Sequence, residues 1–161
     1  MRYSKNELYT VPPYINLLFN NNQLELLKTL CLLFALSVES KKKFNKVSDL
    51  IFYYGLVHFD MLKILKGDED DLVISRNRYF RYRQNINQII LELFNLDFIE
   101  IKGTIEVKTS DIGIRLNKKG LIFFQELNNS YFSELVEKSL SVISMIDNNS
   151  TNKSILEGGK K

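Results

Sequence analysis

The feature that most constrains this chain is a change of hydrophobic period with almost no connecting residues. Between Tyr79 and Leu96 the residues Tyr82, Ile86, Ile89, Ile90, Leu93 and Phe94 recur at helical spacing, with Arg81, Gln84, Asn85, Gln88 and Asn95 on the opposite face. Directly after it, Phe98-Ile99-Glu100-Ile101-Lys102 and Ile105-Glu106-Val107-Lys108-Thr109 alternate apolar with polar, the period of strands, and Gly103-Thr104 stands between them. The pattern predicts a helix that runs straight into a β-hairpin. Gly-Thr is a weaker two-residue turn than Asn-Gly, so a wider loop closing on Ile112–Leu116 is the alternative.

Two helices are predicted upstream. Asn22 with Glu25 three residues on reads as a capping box, and Leu24, Leu27, Leu30, Cys31, Phe34 and Val38 continue at helical spacing to about Ser40. Leu26, Leu32, Leu33 and Leu36 fill the remaining faces, which makes this the central core helix. Asn45 reads as the N-cap of a second helix over Val47–Leu65, with Val47, Leu50, Ile51, Tyr54, Val57, Met61, Leu62 and Leu65 on one broad face. The connection Gly67-Asp68-Glu69-Asp70-Asp71 must be solvated, because adjacent carboxylates repel one another. After the hairpin, Asn117 is placed to cap a helix over Lys118–Leu127. Ser130 is placed to cap another, with Phe132, Leu135, Val136, Leu140, Ile143 and Ile146 on one stripe.

The resulting division is an N-terminal arm over 1–21, where Pro12-Pro13 and Asn20-Asn21-Asn22 oppose helix, one domain over 22–147, and a disordered tail over 148–161. Three helices followed by a hairpin is the order of a winged helix-turn-helix domain. The expected fold is therefore mainly α with a small β-hairpin, a winged helix-turn-helix domain with additional C-terminal helices.

Composition narrows the function. With 22 Lys+Arg against 19 Asp+Glu the net charge is only +3, short of a polybasic nucleic-acid protein, so any basic surface must come from arrangement. Cys31 and His58 are the only residues of their types, which argues against a disulfide and a structural zinc and fits a reducing compartment. The sequence has no Gly-rich phosphate loop, no Gly-x-Ser-x-Gly, no paired histidines and no Cys/His dyad, so neither catalysis nor a cofactor is expected. Met1–Tyr9 is polar and no apolar run reaches the ~18 residues of a membrane span, so a cytoplasmic protein without membrane contact is expected.

The densest chemistry lies in Arg76-Asn77-Arg78-Tyr79-Phe80-Arg81-Tyr82-Arg83, which gathers four of six arginines and reads as one patch at the mouth of a helix. Guanidinium forks suit phosphates, but they suit equally the acids of a partner subunit, the chain's own Asp68–Asp71 loop, or plain solvation. Gln84, Asn85 and Gln88 are either amides for adenine edges or the polar face of a half-buried helix. Lys41, Lys42, Lys43 and Lys46 form a basic knuckle that either touches a phosphate backbone or solubilises a turn. His58 has Asp60 close in sequence but not facing it on a helix, and reads as a polar contact, not a metal ligand.

The segment from Asp49 to Asp60, Asp-Leu-Ile-Phe-Tyr-Tyr-Gly-Leu-Val-His-Phe-Asp, resembles the Leu-Asp-Tyr-x-x-Val-His-x-x-Asp segment of the middle components of bacterial ABC-three-component systems. That family includes the small subunit of Lamassu antiphage systems. Arg76-Asn77-Arg78 with Arg83, Ile86, Ile90 and the Leu96-Asp97-Phe98-Ile99 ending resembles the family's arginine-containing stretch, and Tyr131 with Leu127 and Leu135 resembles its Leu-x-Ser-x-Tyr-x-x-x-Leu segment. The three segments keep the family's order across residues 24–146. The Asp-Tyr pair is shifted to Tyr54-Gly55, and the acidic loop replaces a Ser-Leu-His-Pro type of loop. The resemblance implies a noncatalytic subunit that joins an SMC- or Rad50-like ABC ATPase, couples it to a nuclease effector and has room for auxiliary contact with double-stranded DNA. It marks Tyr54, Val57, His58, Asp60, Arg76, Arg78, Arg83 and Tyr131 as contact or structural residues, beside the neighbouring Arg81. The rival reading is a winged-helix transcription regulator that binds DNA as a homodimer.

Overall fold

Helix α1, Asn20–Glu39, carries leucines on every side, and the fold closes around it: Leu30, Cys31, Leu32, Leu33, Ala35 and Leu36 are all buried. The computed structural model describes residues 20–65, 72–103, 108–127 and 129–158. After α1 come strand β1, Asn45–Lys46, and helices α2, Val47–His58, α3, Leu62–Leu65, and α4, Leu72–Asn95. Strand β2, Ile99–Lys102, is followed by a 3-10 turn at Thr109–Asp111 and strand β3, Gly113–Leu116. Helices α5, Lys118–Glu126, α6, Ser130–Met145, and α7, Ser150–Leu156, complete the chain. It is mainly helical, with a small three-stranded antiparallel sheet in the order β1-β3-β2.

Helix α6 packs along α1 and α2, while α2 packs on α4. Gly55 allows the second approach: a Cβ there would lie 2.7 Å from the Tyr79 ring, so α4 comes closer than any other residue would permit. Across α1 and α4, the Thr29 and Tyr82 hydroxyls meet at 2.9 Å inside the core. Thr29 spends its only proton on the Glu25 carbonyl at 2.8 Å, so Tyr82 is the donor of the pair.

Several boundaries differ from the sequence expectation, each for a physical reason. The Asn20–Asn22 run does not end an arm; it forms the first turn of α1, and Asn22 is inside the helix instead of capping it. The rest of the 1–21 arm lies outside the described residues, as does the acidic loop. Asn45 is a strand residue opposite Ile114, not a helix cap. Lys46 takes the cap position without a side-chain bond, because the first amide of α2, on Val47, donates to the Ile112 carbonyl at 2.9 Å; the sheet does the work of a cap. The single helix expected over Val47–Leu65 breaks after His58, where Asp60 takes a left-handed conformation with φ 56° and the Gly55 carbonyl accepts from Phe59. Helix α4 begins seven residues before Tyr79, so the arginine segment lies within a helix and not at its mouth. Its first turns expose Val73 and Ile74 and so carry no apolar period to read.

The wider hairpin is the one that forms. Strand β2 pairs with β3 from Ile99↔Leu116 to Lys102↔Gly113, Lys108 and Thr109 are not part of a strand, and residues 104–107 lie outside the described residues. Strand β1 was not foreseen. Asn117 caps α5 as expected, accepting from the Gly120 amide at 2.7 Å, but Asn129 and not Ser130 caps α6, accepting from Tyr131 at 2.8 Å. The tail expected to be disordered forms α7. Asn149 caps it, accepting from Asn152 at 2.8 Å, and Leu156 is fully buried against the core. Residues 159–161 lie outside the described residues.

Candidate functional site

Helical geometry splits the arginine segment in two. Arg76, Tyr79 and Arg83, at spacings of three and four, share one face of α4, and that face meets the C-terminal helix. Arg76 Nη2 donates to the Ile155 carbonyl at 3.3 Å, in the last turn of α7, where the helix dipole favours a cation. Arg83 pairs with Glu157 at 3.0 Å and lies 5.9 Å from the Phe80 ring centroid. Arg76 Nε is buried with no hydrogen-bond partner among the described residues. These two arginines are therefore anchors for α7, and the four arginines do not share one face of the helix.

Arg78 and Arg81 turn the other way. With Asn85 of the same helix, Glu25 and Lys28 of α1, and His58 at the end of α2, they line a cleft of about 490 Å³. Its floor is rigid: the Tyr54 and Tyr82 rings stack at 3.7 Å with 7° between their planes, and the His58 ring lies 4.4 Å from that of Tyr54. Burial, with the positive charges of Lys28 and Lys138 adding to it, pushes His58 down to about 3, so the imidazole is neutral at physiological pH. Its Nε2 is buried and has no hydrogen-bond partner among the described residues. Burial also lowers Lys28, against the attraction of Glu25 and with the repulsion of Arg78, and it raises Glu25 more than Lys28 lowers it. Both phenols of the floor are raised, Tyr82 by burial against its bond to Thr29 and Tyr54 by burial first and Tyr82 second.

Four of the residues singled out from the sequence, Tyr54, His58, Arg78 and Arg81, thus come together. Val57 does not join them; it is buried in the core. Asp60 is exposed in the left-handed turn beyond α2. Tyr131 is half-buried in the first turn of α6, its ring edge-on to Phe132 and its phenol raised by burial and then by Cys31. Lys28 and Glu25 were not picked out as site residues. The available signal was that they are the only charged residues of α1 before Glu39, three apart on a leucine-rich helix.

The basic knuckle belongs to a different surface. Lys41, Lys42, Lys43 and Lys46 are exposed around β1, and Lys46 pairs with Asp111 at 3.9 Å. Nearby, Lys102 and Arg115 lie over the Phe44 ring at 5.7 and 4.6 Å from its centroid, and Arg115 pairs with Glu100. On the outer face of α4, Gln84, Asn85 and Gln88 are exposed, as their spacing predicts. Further along, Leu91, Phe94 and Leu96 are also about half exposed, which corrects the inward placement of Phe94. Among the described residues no cluster of three or more metal-ligating side chains occurs, and no helix is long and apolar enough to cross a membrane. No family model matches the chain, and neither a curated protein nor a solved structure matches it significantly.

Proposed function

We propose that the chain is a noncatalytic winged-helix subunit of an antiphage ABC-three-component complex, joining an SMC- or Rad50-like ABC ATPase and coupling it to a nuclease effector in the cytoplasm. The observation that carries this reading is the topology. Helix α1, strand β1, helices α2 and α4, and the β2–β3 hairpin, with β3 central in the sheet, follow the winged-helix order. The three resembling segments supply the partner class, since α2, α4 and the start of α6 are the elements that hold them.

The outer face of α4 favours a protein partner as the principal contact. A helix that only reads DNA gains from cations and amides, whereas Leu91 and Phe94 leave apolar surface in water. Auxiliary contact with duplex DNA would use the lysines around β1 and the amides of Gln84, Asn85 and Gln88. Those same amides favour the second reading, a homodimeric winged-helix regulator. The deciding experiment is purification of the tagged chain after co-expression with its genomic neighbours. The proposal expects an ATPase in fixed stoichiometry, lost in a Leu91→Asp, Phe94→Asp variant that still melts cooperatively. A homodimer that retains duplex DNA and captures no ATPase would replace it with the regulator.

A further inference from the structure

We infer that the cleft between α1, α2 and α4 is a binding site for a phosphate-bearing small molecule of nucleotide size. This does not rest on the subunit reading and concerns a surface apart from the Leu91–Phe94 stripe.

The cleft collects Lys28, Arg78 and Arg81 against one carboxylate, Glu25. Among the described residues no carboxylate comes within ion-pair distance of any of the three cations. On the same helix Arg76 and Arg83 are both engaged by α7, so the contrast is internal to one segment: two arginines are structural anchors and two have no ion pair among the described residues. Like charges held around a concavity repel, and an anion seated among them removes that repulsion. Guanidinium forks offer paired N–H groups matched to phosphate oxygens.

The rest of the lining suits the body of such a ligand. A volume of about 490 Å³ exceeds what one phosphate group needs and lies in the range of small-molecule sites. The neutral His58 ring stands in the lining, and Asn85 brings an exposed amide that both donates and accepts. That amide can pair with the edge of a base or with sugar hydroxyls. The Tyr54–Tyr82 stack, tied to α1 through Thr29, holds the floor in place before any ligand arrives. Glu25 shares the wall as the single carboxylate among three cations, so the lining stays net positive.

The test is titration of the full chain with inorganic phosphate, AMP, ADP and ATP, followed by calorimetry and by the NMR signals of its single imidazole. The expected result is saturable binding of at least one nucleotide with a Kd below about 1 mM. Binding should shift the His58 signals, weaken at least about tenfold in an Arg78→Gln, Arg81→Gln variant, and persist in Lys42→Gln, Lys43→Gln. Asn85→Glu, at an exposed position, is a second variant should the first lower the melting temperature. Absence of saturable binding, binding that leaves His58 unmoved or survives both cleft variants, or retention of duplex DNA alone would overturn the inference. Purification with the ATPase is read separately, so either proposal can fail without the other.

Discussion

Gly120→Ala should destabilise the protein, although it replaces the poorest ordinary helix former with the best. Considered as a helix residue alone, the exchange is worth about 1 kcal/mol of added stability. Its position reverses the sign. A Cβ at Gly120 would lie 2.2 Å from the carbonyl oxygen of Phe98 and 3.0 Å from its carbonyl carbon, so α5 and the start of the sheet would have to separate by about 1 Å to reach ordinary contact. The neighbourhood resists that movement. Phe98 accepts from the Asn117 amide at 3.0 Å and donates to the Leu93 carbonyl at 3.0 Å, and its ring stacks on Phe123 at 4.6 Å. Asn117 also donates through Nδ2 to the Asp97 carbonyl at 2.7 Å. Overpacking costs about 1–3 kcal/mol and one disrupted hydrogen bond about 1 kcal/mol, so the net loss after the helix gain is about 1–3 kcal/mol. At this chain length that lowers Tm by roughly 2–12 °C. Urea unfolding followed by circular dichroism should show a lower midpoint with an unchanged slope, while Lys118→Ala, at an exposed position of the same turn, stays within about 0.5 kcal/mol of the wild type. An unchanged or higher midpoint for Gly120→Ala would refute the packing described for this corner.

Three further outcomes follow from the same packing. His58 has a folded-state value depressed to about 3, so the unfolded chain takes up its proton first as pH falls, and stability declines below pH 6.5 by up to about 1.4 kcal/mol per pH unit. The imidazole NMR signals should remain those of the neutral ring at pH 5, and a midpoint near 6.5 would contradict the burial. Leu156→Ala should cost about 2–4 kcal/mol in chemical denaturation, because the side chain is fully buried; a negligible cost would show that α7 does not belong to the core. Arg76→Glu with Arg83→Glu should increase proteolysis at the C-terminus by setting like charge against Glu157 and by removing the donor to Ile155, whereas Arg78→Glu with Arg81→Glu should not; equal sensitivity in the two variants would refute the division of the arginines.

The sequence disclosed those elements whose own residues decide them. The leucines of α1, the stripe from Tyr82 to Leu93, the alternation of β2 and the cap at Asn117 are local signals, and each was legible. The signal failed where the deciding group lies far away in the chain. Asn45 looks like a cap until the Ile112 carbonyl, more than sixty residues on, satisfies the α2 amide in its place. The residues of α7 are polar except for Ile155 and Leu156, too few for a period, and that helix is held by a buried leucine and a partner arginine on α4. The candidate site divides in the same way: Tyr54, His58, Arg78 and Arg81 were found from composition and resemblance, while Lys28 and Glu25 join them only because α1 and α4 line the same cleft.

That division bears on how a cluster of like residues should be read. Four arginines in eight positions of an irregular segment could act together, but on a helix the spacing sends 76 and 83 to one side and 78 and 81 to another. Substituting all four at once, the direct test of a single binding patch, would release α7 and empty the cleft together, and a loss of function could not be assigned to either. The pairs must be changed separately, with thermal stability reporting on Arg76 and Arg83 and ligand or partner binding reporting on Arg78 and Arg81. A variant that loses binding while keeping its melting temperature then identifies the functional face of α4.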